Sequence, residues 1–254
     1  MTDTARLLIT NDDGIDSPGL RAVAAALSKR YEVTVAAPGA DMSGSGTGIG
    51  RFDITAGVAL NPVSIDEAPV AYSIDGPPGL AVTAAALGAF GEVPDLVVSG
   101  INAGINTGHS IIHSGTVGAA LTARTFGIKG LAVSLAQSDP WHWETAVEVT
   151  MSAADWLLAR KTSPHVLNVN VPGVPVEEVR GIHWADLDEF GYIRVATAAV
   201  EDHRLQFVVR STDSPSDPGS DSVMVLENYV TLTPLTAVEP APFPDEEASA
   251  VWKH

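Results

Sequence analysis

The 254-residue chain contains no cysteine, which excludes a disulfide framework, thiol chemistry and a thiolate zinc site. Basic residues are scarce: 14 Lys and Arg stand against 31 Asp and Glu, a formal charge of −17. Binding a nucleic acid polymer relies on basic surface that neutralises phosphates, so this composition opposes it. It also opposes long-range steering of an anionic small molecule, which must then be held locally by a metal ion and backbone donors. Long apolar runs are missing too: no segment approaches the roughly 20 residues needed to span a bilayer. Met1-Thr2-Asp3-Thr4 enters a strand without a basic or apolar leader, so a cytoplasmic protein with no membrane partner is expected. The acidic excess fits a saline setting and simple solubility equally.

What is present is concentrated at strand ends. Arg6-Leu7-Leu8-Ile9-Thr10-Asn11-Asp12-Asp13-Gly14-Ile15-Asp16-Ser17-Pro18-Gly19 runs from a buried strand into adjacent carboxylates. In an open parallel sheet the carboxyl ends of strands face the ligand crevice, where two neighbouring anions repel unless a cation holds them. A hard divalent ion, Mg²⁺ or Mn²⁺, accepts such oxygen ligands. The same residues also suit an ordinary polar turn before a helix.

A second junction, Asp95 to Gly108, passes from a β-branched strand into Ser99-Gly100-Ile101-Asn102-Ala103-Gly104-Ile105-Asn106. His113-Ser114-Gly115-Thr116-Val117-Gly118 then opens an Ala-rich helical pattern. Small residues at a helix start let backbone N–H groups approach an oxyanion, so Asn106, Ser114, Gly115 and Thr116 are candidate phosphate contacts. Helix capping by Ser114 or Thr116 is the competing reading. A third junction, Ala37 to Gly46, follows the strand Glu32 to Ala36 and offers Ser43 and Gly44. The alternating glycines from Gly44 to Gly50 lack dinucleotide-loop spacing and read as a flexible flap over the site. His113 lies beside the phosphate loop, where donation to phosphate and a surface role are both open. The other histidines show no ligand spacing.

These motifs, in this order, resemble the SurE family of survival proteins, metal-dependent phosphatases of nucleoside monophosphates. The likeness rests on Thr10 to Gly19, Ala37-Pro38 with Ser43-Gly44, Val98 to Asn106 and Ser114 to Val117. It extends to Asn168-Val169-Asn170-Val171-Pro172, Asp221 and Tyr229 to Leu235, covering most of the chain. The resemblance implies one divalent metal held by Asp12, Asp13, Ser43 and Asn102. Departures lie elsewhere: the family's Gly-Thr-Pro-Ala-Asp-Cys stretch is replaced by Gly76-Pro77-Pro78-Gly79-Leu80-Ala81, and Ser45 to Gly50 is unusually glycine-rich. Those two loops are expected to meet the leaving group and to alter substrate preference.

Strand-like and helix-like patterns alternate through the first part of the chain, which predicts a Rossmann-like, mostly parallel sheet with helices on both faces. Helices are expected over Pro18 to Lys29, Gly79 to Phe90, Thr116 to Phe126 and Trp141 to Arg160. Strands are expected at Leu96 to Ser99, Leu131 to Leu135 and Val166 to Val171. From Gly181 the pattern becomes β-rich, with short strands at Ile182 to Ala185, Tyr192 to Thr197, Gln206 to Arg210 and Ser222 to Leu226. The expected division is a catalytic core at 1–180, a β-hairpin extension at 181–235 that returns to the core, and a tail at 236–254. Such a hairpin needs a partner surface, and the resemblance implies oligomer contacts there, as a homodimer or homotetramer.

The function expected, on the resemblance, is a metal-dependent phosphomonoesterase hydrolysing nucleoside monophosphates through metal-activated water, with Asp12 and Asp13 as catalytic carboxylates and Gly44 among the phosphate contacts. A phosphatase of a specialised ester, such as a sugar phosphate, and a catalytically silent binding protein are the alternatives.

Overall fold

Leu7 and Ile9 point into one apolar layer and Leu8 into the other, so the first strand is covered on both sides. The same holds along its neighbours: Val98 joins the first layer and Val97 the second. Strands buried on both faces read as continuous apolar runs, and helices must then flank the sheet twice.

The computed structural model describes residues 4–51, 55–65, 68, 70–160, 166–189, 193–201, 203–211, 217–236 and 238. In chain order the elements are β1 (Arg6–Thr10), α1 (Pro18–Leu27), β2 (Glu32–Pro38), β3 (Leu60–Pro62), β4 (Val70–Ile74), α2 (Pro78–Ala86) and β5 (Leu96–Ala103). There follow α3 (Gly115–Thr125), β6 (Lys129–Leu135), α4 (Trp143–Leu158), β7 (Val166–Val171), β8 (Gly181–Trp184), β9 (Ile193–Glu201), β10 (Arg204–Ser211), α5 (Asp221–Leu226) and β11 (Tyr229–Leu235). A 3₁₀ turn at His109–His113 leads into α3.

Nine strands form one sheet in the order β3-β4-β2-β1-β5-β6-β7-β11-β8. The run from β4 to β7 is parallel, β3 and β11 join antiparallel, and β8 pairs parallel with β11. Helices α1 and α4 cover one face; α2 and α3 cover the other. The sheet is the Rossmann-like arrangement that the strand–helix alternation predicts. After β1 the chain winds outward to β2, whereas β5 lies on the other side of β1 and leads to β6 and β7. The crevice at the carboxyl ends of β1 and β5 is therefore the topological switch point, where open α/β sheets bind ligands.

Four local readings change. The segment Ser222 to Leu226, expected as a strand, is helical within α5, because Asp221 at its first position accepts backbone N–H groups and starts a helix. Ile182 to Ala185 does not pair with its sequence neighbours; β8 extends the main sheet instead. Strands β3 and β4, which carry Pro62 and Tyr72 and lack clean alternation, have no counterpart in the sequence reading and form one end of the sheet. Strand β5 continues past Ser99 to Ala103 through an irregularity in its pairing with β6, so Asn102 lies on the strand and not beyond it. The hairpin β9–β10 forms a separate two-stranded sheet. The proline-rich stretch from Pro240 lies outside the described residues.

Candidate metal and phosphate site

Three strand ends and one helix start converge at the switch point. The β1 loop is braced from within: Asn11 Nδ2 donates to Ser17 Oγ at 2.6 Å and to the Gly14 carbonyl at 3.1 Å. Ser17 also caps α1, accepting from Leu20 N. This turn chemistry is what the Asn-Asp-Asp-Gly sequence suits, and it holds Asp12 and Asp13 outside the turn's own hydrogen bonds. The β2 loop is tied to it by Met42 N–H donating to the Asp12 carbonyl at 2.7 Å and by Ile15 N–H donating to the Pro38 carbonyl at 2.8 Å.

Asp12 is buried, with 3% of its surface exposed, and the Thr116 hydroxyl donates to its Oδ1. The same hydroxyl lies 3.2 Å from Asn102 Oδ1, so one side chain from α3 joins the β1 and β5 strand ends. Asn102 Nδ2 donates to the Gly104 carbonyl at 2.7 Å, which leaves Oδ1 as the oxygen that faces Thr116. Asp13 Oδ2 accepts the Ala103 N–H at 3.2 Å. Burial pushes the Asp13 carboxyl up to about 6; the Ala103 bond opposes this, and the charges of Asp12 and Asp41 add to it. Both charges acting on Asp13 are of its own sign.

Glycine at 115 is required by this packing. A Cβ there would stand 2.7 Å from Asp12 Oδ2, 2.8 Å from Asp12 Cβ and 2.5 Å from Ser45 Oγ. At Gly118, one turn on, a Cβ would meet the Gly46 carbonyl oxygen at 2.0 Å. Gly46 N–H donates to the His113 carbonyl at 3.1 Å. The glycine-rich loop read as a flap is thus seated on the start of α3.

The candidate residues divide by what they touch. Asp12, Asp13, Asn102, Gly115 and Thr116 share one cluster. Ser114 is the N-cap of α3, accepting from Val117 N–H at 3.2 Å. Ser43 is exposed, and its hydroxyl donates to Asp41 Oδ1 at 2.6 Å. Gly44 has a φ of +84° and open space around it. Asn106 is turned toward the sheet: its Nδ2 donates to Ser134 Oγ at 2.8 Å, and Asn168 and Asn170 each donate to its carbonyl at 2.9 Å. Two residues beyond the sequence reading belong to the site. Asp41 orients Ser43, and Ser45 Oγ is buried without a hydrogen-bond partner among the described residues. A serine between two glycines carries no sequence signal of its own; only the close approach of α3 singles it out.

The donor set suits a hard cation. Two adjacent carboxylates, one of them pushed up by burial and by anionic neighbours, share the Thr116 neighbourhood with a neutral amide oxygen, without sulfur or imidazole among these donors. No group of three or more His, Cys, Asp or Glu that could hold a metal ion is found among the described residues, so any further ligands would be neutral oxygens such as those of Asn102 and Ser43.

A Rossmann-like sheet with paired aspartates at its switch point and a glycine-seated helix start beside them defines an α/β protein with a candidate oxygen-ligand site in its ligand crevice. The chain belongs to the SurE family: the family model of survival protein SurE matches residues 7–193. The 5'-nucleotidase SurE of Alkalilimnicola ehrlichii is 35% identical over 253 residues, covering 90% of this chain and 88% of that protein. The 5'-nucleotidase SurE of Marinobacter nauticus is 36% identical over 239 residues, covering 91% and 89%. The crystal structure of SurE protein from Aquifex aeolicus superposes with a TM-score of 0.76 at 30% identity, covering 91% of this chain and 93% of that one.

Proposed function

We propose that this protein is a metal-dependent phosphomonoesterase that hydrolyses nucleoside monophosphates, the activity carried in the names of its relatives. The observation that carries the reading is the joining of Asp12 and Asn102, from two strand ends, to Thr116 at the start of α3, with Asp13 tied to the Ala103 N–H beside Asn102. Asp12, Asp13, Asn102 and Ser43 would hold one Mg²⁺ or Mn²⁺. Such an ion polarises a phosphoryl oxygen and lowers the pKa of bound water.

The chain's own groups supply the rest. Thr116 fixes Asp12 Oδ1 and Asn102 Oδ1 relative to each other, so two ligands from separate strands keep one geometry. Ser114 takes the Val117 N–H, leaving the Gly115 and Thr116 N–H groups, at the positive end of the α3 dipole, for phosphoryl oxygens. Asp13 holds the proton of the attacking water on Oδ1, the oxygen not tied to Ala103. Water oxygen bonds to phosphorus as the ester P–O bond breaks, and the leaving alkoxide takes up a proton. No covalent enzyme intermediate forms.

The hairpin β9–β10, separate from the main sheet, serves assembly into a homodimer or homotetramer in this reading, with 181–235 as the oligomerisation segment. Among the described residues no helix is long and apolar enough to cross a membrane; a cytoplasmic location is part of this proposal. The test is hydrolysis of adenosine 5'-monophosphate with Mg²⁺ or Mn²⁺ and after chelation. Phosphate release that depends on added metal supports the reading, and full turnover by chelator-treated protein would sink it.

A further inference from the structure

The loop 104–108 leaves β5 just after Asn102 and leads, through the 3₁₀ turn at His109–His113, to Ser114, the N-cap of α3. It therefore joins a candidate metal ligand to the helix start that faces the phosphoryl group. Gly104 and Gly108 give this short loop little stiffness of its own. What holds it comes from the neighbouring strands.

The hold is concentrated at Asn106. Its N–H donates to Asn170 Oδ1 at 2.8 Å, and its carbonyl accepts from Asn168 Nδ2 and Asn170 Nδ2, each at 2.9 Å. Asn106 Nδ2 donates to Ser134 Oγ at 2.8 Å. One amide side chain, that of Asn170, thus meets both backbone groups of a single residue, as the donor and acceptor of an adjoining strand would. Asn168, Asn170 and Ser134 are fully buried. A buried amide is costly unless its ends are paired. Asn170 satisfies this through Asn106, whereas Asn168 Oδ1 has no partner among the described residues.

The clamped residue stands between the two halves of the site. Two positions before it, the Gly104 carbonyl accepts Asn102 Nδ2 at 2.7 Å, which leaves Asn102 Oδ1 facing Thr116 at 3.2 Å. Two positions after it, Gly108 N–H donates to the Asp221 carboxylate, and the 3₁₀ turn then enters α3.

We propose that Asn170 is a positioning residue for hydrolysis: by clamping the Asn106 backbone from β7, it fixes Asn102 relative to the start of α3. The proposal rests on the phosphomonoesterase reading and gives Asn106, expected as a phosphate contact, the role of the clamped group.

Asn170→Asp separates positioning from packing. A protonated carboxyl carries one donor and one acceptor, as the amide does, whereas the ionised form offers acceptors alone and repels the Asn106 carbonyl. Burial raises such a carboxyl above its ordinary value near 3.9, so acid closes the clamp and base opens it. The experiment measures kcat and KM for adenosine 5'-monophosphate with saturating Mn²⁺, and Mn²⁺ affinity by calorimetry, from acid to mildly basic pH. The unaltered full chain is compared with Asn170→Asp, Asn170→Leu and Ser134→Ala, at a temperature where urea unfolding shows each to be folded. Values are taken as ratios to the unaltered chain, so that Asp13 and Asp221, which titrate in all four proteins, cancel.

Expected for Asn170→Asp is an about tenfold or greater fall in kcat at basic pH, since a misplacement of about 1 Å costs on the order of 10²-fold. The ratio climbs toward unity on acidification, and Mn²⁺ affinity follows it. Asn170→Leu loses kcat at every pH. Ser134→Ala, which removes one bond at Asn106 with little change in volume, shows a smaller, pH-independent fall and carries the test should either Asn170 variant fail to fold. An Asn170→Asp ratio that stays flat with pH, or losses that match the unfolded fraction alone, would make Asn170 a packing residue and overturn the proposal while leaving the phosphatase reading intact. So would parental kcat and Mn²⁺ affinity in Ser134→Ala, where it is the one variant that folds. Absence of metal-dependent turnover in the unaltered chain would overturn that reading and the proposal with it.

Discussion

Gly115→Ala tests whether α3 holds Asp12 in position by contact. The added carbon would stand 2.7 Å from Asp12 Oδ2 and 2.8 Å from Asp12 Cβ, where 3.4 Å begins ordinary contact. Asp12 or the helix start must therefore shift by about 0.7 Å, and Ser45 Oγ, at 2.5 Å, by about 0.9 Å, while Asp12 is buried, held by the Thr116 hydroxyl at its side chain and the Met42 N–H at its carbonyl. In energy the change is close to balanced: Ala favours a helix over Gly by about 0.8–1.0 kcal/mol, and overpacking costs about 1–3 kcal/mol. The net loss of about 0–2 kcal/mol lowers Tm by at most about 8 °C in a chain of this size. Catalysis is more sensitive, because a misplacement of about 1 Å at a reacting group costs on the order of 10²-fold. Expected is a 10- to 100-fold fall in kcat/KM, about what that misplacement gives, in protein that still unfolds cooperatively. Metal affinity, followed by calorimetry, should weaken in parallel. Turnover within twofold of the parent, with metal affinity unchanged, would refute the reasoning.

Thr116→Val removes the hydroxyl that Asp12 Oδ1 and Asn102 Oδ1 share; buried acceptors left unpaired cost about 1–3 kcal/mol, which urea unfolding of metal-free protein should show. Asp221 gives a pH signature. Burial holds its carboxyl above the ordinary value despite N–H donors from Asp188, Gly108 and Ser222, and the Asp188 charge adds to the rise. The folded state therefore binds this proton more tightly than the unfolded chain. Its stabilising effect is full below the unfolded value near 3.9 and is lost as pH rises through the raised folded value. Asp221→Asn, which keeps Oδ1 as an acceptor, should gain stability relative to the parent as pH rises above about 4; a pH-independent difference in urea midpoints would contradict this. Finally, the hairpin β9–β10 forms its own two-stranded sheet, and such a hairpin is marginal alone. Light scattering should report at least a dimer, and a concentration-independent monomer mass would count against it.

Much of this was legible because local chemistry and global fold agree. Continuous apolar runs at Leu7 to Thr10 and Leu131 to Leu135 read as doubly covered strands, and both lie inside the sheet. Helices are legible from Pro18 and from Thr116; Ser17 and Ser114, the latter read from sequence as a phosphate contact with capping as the competing reading, cap them through Oγ. Where context overrides propensity, sequence reading fails. Ser222 to Leu226 carries β-branched residues, yet Asp221 turns it into a helix by binding Gly108 and Asp188 across the fold.

By itself the sequence determined the sheet's parallel core, the pair of adjacent carboxylates after β1 and the small residues at the α3 start, since each depends on neighbours a few positions apart. Only the tertiary structure decided which of the candidate oxygens meet. Thr116 reaches both Asp12 and Asn102 because β5 lies beside β1 and α3 packs glycine-first against the Asp12 loop. Asn106, close to Asn102 in sequence, is instead drawn to Ser134 and the two asparagines of β7 by the next strands of the sheet. Hydrogen-bond partners from distant strands are chosen by register and packing, and a single chain's residue order does not contain that choice in local form.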